Sequence, residues 1–194
     1  MTIICGIDPG LSGAAAFIKG GAVTFADLPT KEKAIGGMVA REIDARALCQ
    51  LLRTELPATE SAIVVLEQVG MLGGAKAMQY AASLIDSVAV IRAVCEICRF
   101  RLEFVLPSTW QKFYGLGRSL PKDPALKPGQ QKAAAKAASR AKAIQLYPQA
   151  AALLARVKDD NRAEALLMAH WGLRKFVEPI SVRAVAELVD TVPF

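Results

Sequence analysis

The chain has one histidine, and its lone Cys95-Glu96-Ile97-Cys98 motif has no second cysteine pair to complete it. Zinc sites take four sulfur or imidazole ligands at set spacings, so a resident zinc is not expected. The four cysteines, Cys5, Cys49, Cys95 and Cys98, each sit inside an apolar segment, which reads as reduced, packed thiols. No apolar run reaches the roughly 18 residues that a membrane span requires. The sequence opens on strand-like residues, without a basic n-region or a cleavage site, and no signal peptide is expected. A cytoplasmic protein without a membrane partner is the reading. There is no internal repeat and no sign of a second core. The 194 residues, 53% hydrophobic, suit one domain.

Acid is also scarce over one long stretch. Between Lys112 and Lys142 eight basic residues (Lys112, Arg118, Lys122, Lys127, Lys132, Lys136, Arg140 and Lys142) face one acid, Asp123. The remainder holds sixteen basic and seventeen acidic residues, so the whole net charge of +6 comes from this segment. Such segregation points to a polyanion partner, nucleic acid first. A solvated helix face is the plainer alternative.

Ile3-Ile4-Cys5-Gly6-Ile7-Asp8-Pro9-Gly10 is a buried strand that ends on a carboxylate, because Pro9-Gly10 stops it at once. Ala14 to Lys19 and Ala22 to Leu28 read as two further strands joined at Gly20-Gly21. Thr30 to Arg41 reads as a polar connection. Glu42 to Leu56 has helical spacing. Ala62 to Glu67 is a second buried strand that ends on an acid. The glycine-rich 68–74 loop carries two exposed-looking apolar residues, Met71 and Leu72. Ala75 to Arg99 is a long alanine-rich helix whose Met78, Ala81, Ala82, Ile85 and Val88 are expected to be core.

Arg101 to Leu106 is a fifth strand. Ser108 to Tyr114 is a short helix begun by a hydroxyl cap. Residues 115–131 hold three prolines and three glycines and read as a mobile basic loop. Lys132 to Leu146 and Asp159 to Phe176 are helices, with a short one over Ala150 to Arg156. His170, inside the last helix, reads as a packed residue. The order β-β-β-α-β-α-β followed by helices predicts an α/β fold: a five-stranded mixed sheet with helices on both faces.

Asp8 and Glu67 leave the sheet at strand ends, where ligand sites of open α/β sheets lie. Lys158-Asp159-Asp160-Asn161-Arg162-Ala163-Glu164 starts a late helix, and Asp160 and Glu164, four apart, share a face. Each acid has a duller role open to it: Asp8 can cap a turn, and Asp159 or Asp160 can cap the helix. Four carboxylates cannot cluster ionised without a cation. Oxygen-only ligands select Mg²⁺ or Mn²⁺, and two such ions about 4 Å apart would suit phosphodiester cleavage.

Four blocks carry a resemblance: Gly6-Ile7-Asp8-Pro9-Gly10-Leu11-Ser12-Gly13, Glu67-Gln68-Val69-Gly70, Pro107-Ser108-Thr109-Trp110, and Lys158-Asp159-Asp160 with Arg162-Ala163-Glu164-Ala165-Leu166-Leu167. In this order they resemble RuvC-type Holliday junction resolvases of the ribonuclease H-like superfamily, in the compact form carried by phages and prophages. The resemblance covers residues 2 to 176, the expected nuclease domain, and leaves a tail at 177–194 without a role.

It implies a homodimer that nicks four-way DNA junctions in pairs, with two Mg²⁺ or Mn²⁺ ions, leaving 5′-phosphate ends. Host cytoplasm is the implied place if the gene is a phage's. Asp8 would bridge both metals, Glu67 would hold one, and Glu164 matches the family's last helix acid. Relatives place the two final acids three apart, where Asn161 stands here, so Asp160 is the choice and Asp159 the alternative. Lys136, with Lys112 and Lys132, matches the lysines near the scissile phosphate. Met71 or Leu72 would wedge at the branch point, and the 75–99 helix would supply the dimer contact.

No nucleotide cofactor is expected. Two other classes stay open: a fragment of an actin-like ATPase or sugar kinase, and a DNA-binding module without catalysis.

Overall fold

Seven strands and five α-helices are laid down in a computed structural model that describes residues 1–35, 38–69, 75–117 and 127–177, with the backbone alone at 35, 38 and 75–81. β1 (Thr2–Asp8), β2 (Ala14–Lys19) and β3 (Ala22–Asp27) form the opening meander. β4 (Thr30–Ile35) and β5 (Met38–Ile43) pair with each other in a separate two-stranded sheet. α1 (Ala45–Glu55), β6 (Ser61–Glu67), α2 (Ala75–Ile97) and β7 (Arg101–Val105) complete the main sheet and its crossovers. α3 (Pro107–Phe113), α4 (Pro128–Leu146) and α5 (Asp160–Gly172) follow.

The main sheet has the order β3-β2-β1-β6-β7. β2 runs antiparallel to β1 and β3, while β6 is parallel to β1 and β7. The expected five-stranded mixed sheet is therefore present.

Its two faces follow from side-chain alternation along the strands. Ile3, Cys5, Ile7, Phe17, Val64 and Leu66 form one buried cluster with Leu48 and Leu52 of α1 and Ile91 and Val94 of α2. Ile4, Ala16, Ile18, Ile63 and Val65 form the other, with Leu166, Met168 and Ala169 of α5 and Ala143 of α4.

Several element readings need correction. The 30–41 connection is a hairpin, not a loop. Its charges hid its period: Lys31 lies opposite Glu42 on the adjacent strand and Lys33 diagonal to it, pairing with it at 3.4 and 2.9 Å, as opposite charges do across a ladder. Glu42 thus belongs to a strand. α1 starts later, where the Asp44 carboxylate accepts from the backbone N–H groups of Arg46 and Ala47 at 3.0 Å.

The α2 stripe holds only in part: Val88 packs against the core, and the side chains of Met78 and Ala81 lie outside the described residues. Ile85 and Ala82 are exposed, and the buried face is Ser87, Ile91, Val94 and Cys95. An alanine-rich helix has little amphipathic contrast from which to choose a face. α3 starts on Pro107 with no side-chain cap, the fixed proline φ serving instead. α4 likewise starts on Pro128, so the last residues assigned to the mobile loop are helical.

The 150–156 helix is a 3₁₀ turn over Pro148–Leu154, and Asp159 ends a second such turn. α5 ends at Gly172 and continues as one π-helical turn, Leu173–Val177. Residues 178–194 and the central loop from 118 to 126 lie outside the described residues.

Candidate active site

Three elements bring the acids together. β1 and β6 are parallel neighbours with Gly6 opposite Val65 and Ile7 opposite Leu66, which puts Asp8 and Glu67 abreast one step further on. Alternation sends both side chains to the α5 face, since Ile4, Ile63 and Val65 already point there.

α5 lies directly on β1. A Cβ at Gly6 would come within 2.1 Å of the Ala165 carbonyl oxygen and 2.5 Å of the Ala169 nitrogen, so only glycine permits this approach. The start of α5 is pinned twice. Asn161 Nδ2 donates to the Ser12 carbonyl. Arg162 grips Asp27 at the end of β3 through two parallel bonds of 2.8 and 2.9 Å. Asp160 and Glu164, one turn apart, are thereby carried to the ends of β1 and β6.

The acids feel one another. Burial raises the Asp8 pKa well above the ordinary range, and the carboxylates of Glu164, Glu67 and Asp160 raise it further; only Lys136 opposes them. Glu164 is pushed up to about 7 by burial, then by Glu67 and Asp160, against the relief of Lys136 and Lys132. Glu67 is raised by burial, offset by a hydrogen bond from Trp110.

Among the described residues, Lys136 is the ammonium that bonds into the cluster. It donates to Asp160 Oδ2, and its pKa rises although burial pulls the other way, because Asp160, Glu164 and Asp8 all favour its charge.

Packing sustains this arrangement. Full burial of Leu166, Leu167 and Met168 in α5 contributes about 1.5–3 kcal/mol each. Holding Glu164 at about 7 rather than 4.5 costs about 3 kcal/mol above that pH.

Asp159 takes a different course. Arg156 binds its carboxylate through Nε at 3.0 Å and Nη2 at 2.7 Å, and the Arg156 backbone N–H adds a bond of 2.8 Å. These bonds hold its pKa down, and it is turned to the 156–159 turn rather than to Asp8.

Among the described residues no three His, Cys, Asp or Glu side chains stand close enough to grip one metal ion. The donor chemistry nevertheless fits a hard divalent cation. Asp8, Glu67, Asp160 and Glu164 offer only oxygen, their mutual repulsion is what such a cation relieves, and a lysine ammonium is already drawn among them.

No family model and no curated protein matches the chain. Among solved structures it is similar to Thermus thermophilus RuvC in complex with Holliday junction substrate: 11% identity, TM-score 0.48, covering 87% of this chain and 90% of that one. It is also similar to the Fowlpox virus resolvase in complex with Holliday junction DNA, at 12% identity, TM-score 0.47 and coverage of 90% and 99%. A second Thermus thermophilus RuvC structure gives 12% identity, TM-score 0.44 and coverage of 85% and 92%. These likenesses are distant, and the functional reading rests on this chain's own residues.

The expected DNA-contacting residues fall into three groups. Lys132, Lys136 and Arg140 follow one another at four-residue intervals along α4. Lys132 is exposed and close enough to relieve Glu164, whereas Arg140 is a strut, its Nη1 donating to the Val157 carbonyl at 2.8 Å. Lys112 lies in the last turn of α3 and Lys127 precedes α4, both exposed. Met71, Leu72, Arg118 and Lys122 lie outside the described residues.

His170 packs as expected, its Nδ1 3.0 Å from the Tyr147 hydroxyl and its ring edge-on to Tyr114. Cys5 and Cys95 are buried, and Cys49 of α1 faces Cys98, just past α2, at 3.3 Å.

One residue went unread. Trp110, fully buried in α3, donates its indole N–H to Glu67 Oε1 at 2.9 Å. Its block, Pro107-Ser108-Thr109-Trp110, was visible, but nothing local to it says that a tryptophan reaches an acid 43 positions earlier.

Proposed function

We propose that the chain is a metal-dependent endodeoxyribonuclease that resolves four-way junctions, and other branched DNA, by paired hydrolytic nicks. The observation that carries this reading is the convergence of Asp8, Glu67, Asp160 and Glu164 from three elements into one electrostatic neighbourhood beside the basic face of α4. The four motif blocks support the junction as substrate.

Asp8, Glu67, Asp160 and Glu164 would hold two Mg²⁺ or Mn²⁺ ions, which when bound supply an activated water and charge stabilisation at the scissile phosphate. The protein's part is positional. Asp8, central to the cluster, faces both β6 and α5. Glu67 is aimed by Trp110. Lys136 sits where it can stabilise charge developing on the phosphate, moving off Asp160 as the cluster fills. Lys112, Lys127 and Lys132 hold flanking phosphates, and Arg118 and Lys122 belong to the same basic segment. Cleavage of the P–O3′ bond leaves 5′-phosphate and 3′-hydroxyl ends. Met71 or Leu72 separates base pairs at the branch.

Two active sites on two strands call for a homodimer. The exposed Ile85 and Phe104, with Val88 and Ala89 between α2 and β7, supply an apolar surface for that contact.

A synthetic four-way junction with Mg²⁺ tests the reading. Symmetric nicking by wild type, lost in Asp8→Asn, is expected. Binding without cutting by both proteins would favour a DNA-binding module, and ATP turnover would favour the kinase-like class.

A further inference from the structure

Next to the acids, and lined by none of the α4 lysines, lies a polar cleft of about 440 Å³. It is bounded by Ser12 of the β1–β2 turn, by Thr30 and Arg41 at the base of the β4–β5 hairpin, and by Lys158, Asn161 and Arg162 around the start of α5.

The cleft shares structure with the acid site. Asn161, whose neighbour is Asp160, bonds Ser12. A Cβ at Gly13 would meet the Asp8 carbonyl oxygen at 2.2 Å, so the same turn backs Asp8.

Four cations face two acids here. Arg156 and Arg162 are taken up by Asp159 and Asp27. Arg41 bonds the neutral Thr30 hydroxyl, and among the described residues neither Arg41 nor Lys158 forms an ion pair. Both are exposed. Two cations without carboxylate partners therefore border a polar hollow beside Asp8, and they come from outside the basic 112–142 segment.

We propose that this cleft binds the phosphodiester backbone of the DNA strand beside the acid site, Arg41 forking one phosphate and Lys158 meeting a neighbouring one. That the polyanion is DNA rests on the function proposed above; the cleft itself rests on its charge and shape. The β4–β5 hairpin then has a task, which is to carry Arg41 to the DNA. The acids then have two basic neighbours, the α4 lysines and the hairpin cleft.

Salt-dependent binding to a labelled linear duplex and to a four-way junction tests this in an Asp8→Asn background. Arg41→Ala and Lys158→Ala are each expected to weaken binding roughly tenfold near 0.1 M salt and to flatten log K against log salt by about 0.9 on the duplex, the double variant by about 1.8. Arg46→Ala, which removes an exposed charge from α1, is expected to change neither. If the double variant matches Arg46→Ala, the cleft proposal is overturned. Failure of wild type to cut the junction would instead overturn the nuclease reading, while the duplex slopes would still judge the cleft.

Discussion

The indole N–H of Trp110 donates to Glu67 Oε1 at 2.9 Å, from a side chain with no exposed surface. This bond ties the end of β6 to α3 and orients the Glu67 carboxylate. It also opposes the upward pull of burial on Glu67. Trp110→Phe keeps much of the volume and removes the donor. The variant should lose about 1–3 kcal/mol of stability and need about tenfold more Mg²⁺ for half-maximal cutting, as variants in residues that orient ligands do. Unfolding curves and a Mg²⁺ titration of junction cleavage measure the two effects. An unchanged Mg²⁺ requirement would deny Trp110 its orienting role.

Gly6 is the second fixed point. Gly6→Ala places a methyl group against the backbone of α5 at Ala165 and Ala169, atoms that cannot rotate away. A loss of about 3 kcal/mol is expected, the upper part of the range for overpacking. Because α5 carries Asp160 and Glu164, cleavage should fall more than the unfolded fraction explains. A variant as stable and as active as wild type would mean that α5 is not seated on β1 as described.

The acid cluster makes stability depend on pH in an unusual direction. An acid whose pKa is raised by folding holds more protons folded than unfolded between its two values, so stability falls as pH rises through that window. For Glu164 the window runs from 4.5 to about 7, with Asp8 and Glu67 shifted the same way. Metal-free protein should therefore melt progressively lower from about pH 4.5 to pH 7, with Glu164 alone contributing about 3 kcal/mol. Glu164→Gln should show a flatter profile, and Mg²⁺ should restore the wild-type melting temperature at neutral pH. A flat wild-type profile would contradict the shared field.

Lys136 lowers the pKa of both Asp8 and Glu164. Lys136→Ala should raise both and move the rising limb of the cleavage–pH profile to higher pH. Its single-turnover rate should fall about 10²-fold, the usual scale for losing one charge-stabilising donor. An unchanged rate would remove Lys136 from the chemistry and leave it a structural partner of Asp160.

The sheet was legible in the sequence because its strands are short apolar runs closed by turn residues, as at Ile3–Gly10 and Ala62–Glu67. Strand ends on acids were equally plain, and parallel pairing of two such strands follows once a β-α-β crossover is assumed. The β4–β5 hairpin was hidden because cross-strand ion pairs, Lys31 and Lys33 with Glu42, stand where an apolar alternation would have marked it. α2 concealed its buried face for the opposite reason, being apolar nearly all round. Asp159 pairs with an arginine three residues upstream while Asp160 stands in the field of Asp8, a partition that no spacing rule encodes. Trp110 reaches Glu67 across the fold, a contact that sequence proximity does not report.

The central claim is that Asp8, Glu67, Asp160 and Glu164 together take up divalent cations. Crystals soaked in Mn²⁺ and measured for anomalous scattering test it most directly. Two manganese peaks among these four carboxylates, with Lys136 released from Asp160, are the expected result. Manganese bound elsewhere, or none at saturating concentration with the acids well ordered, would contradict the account.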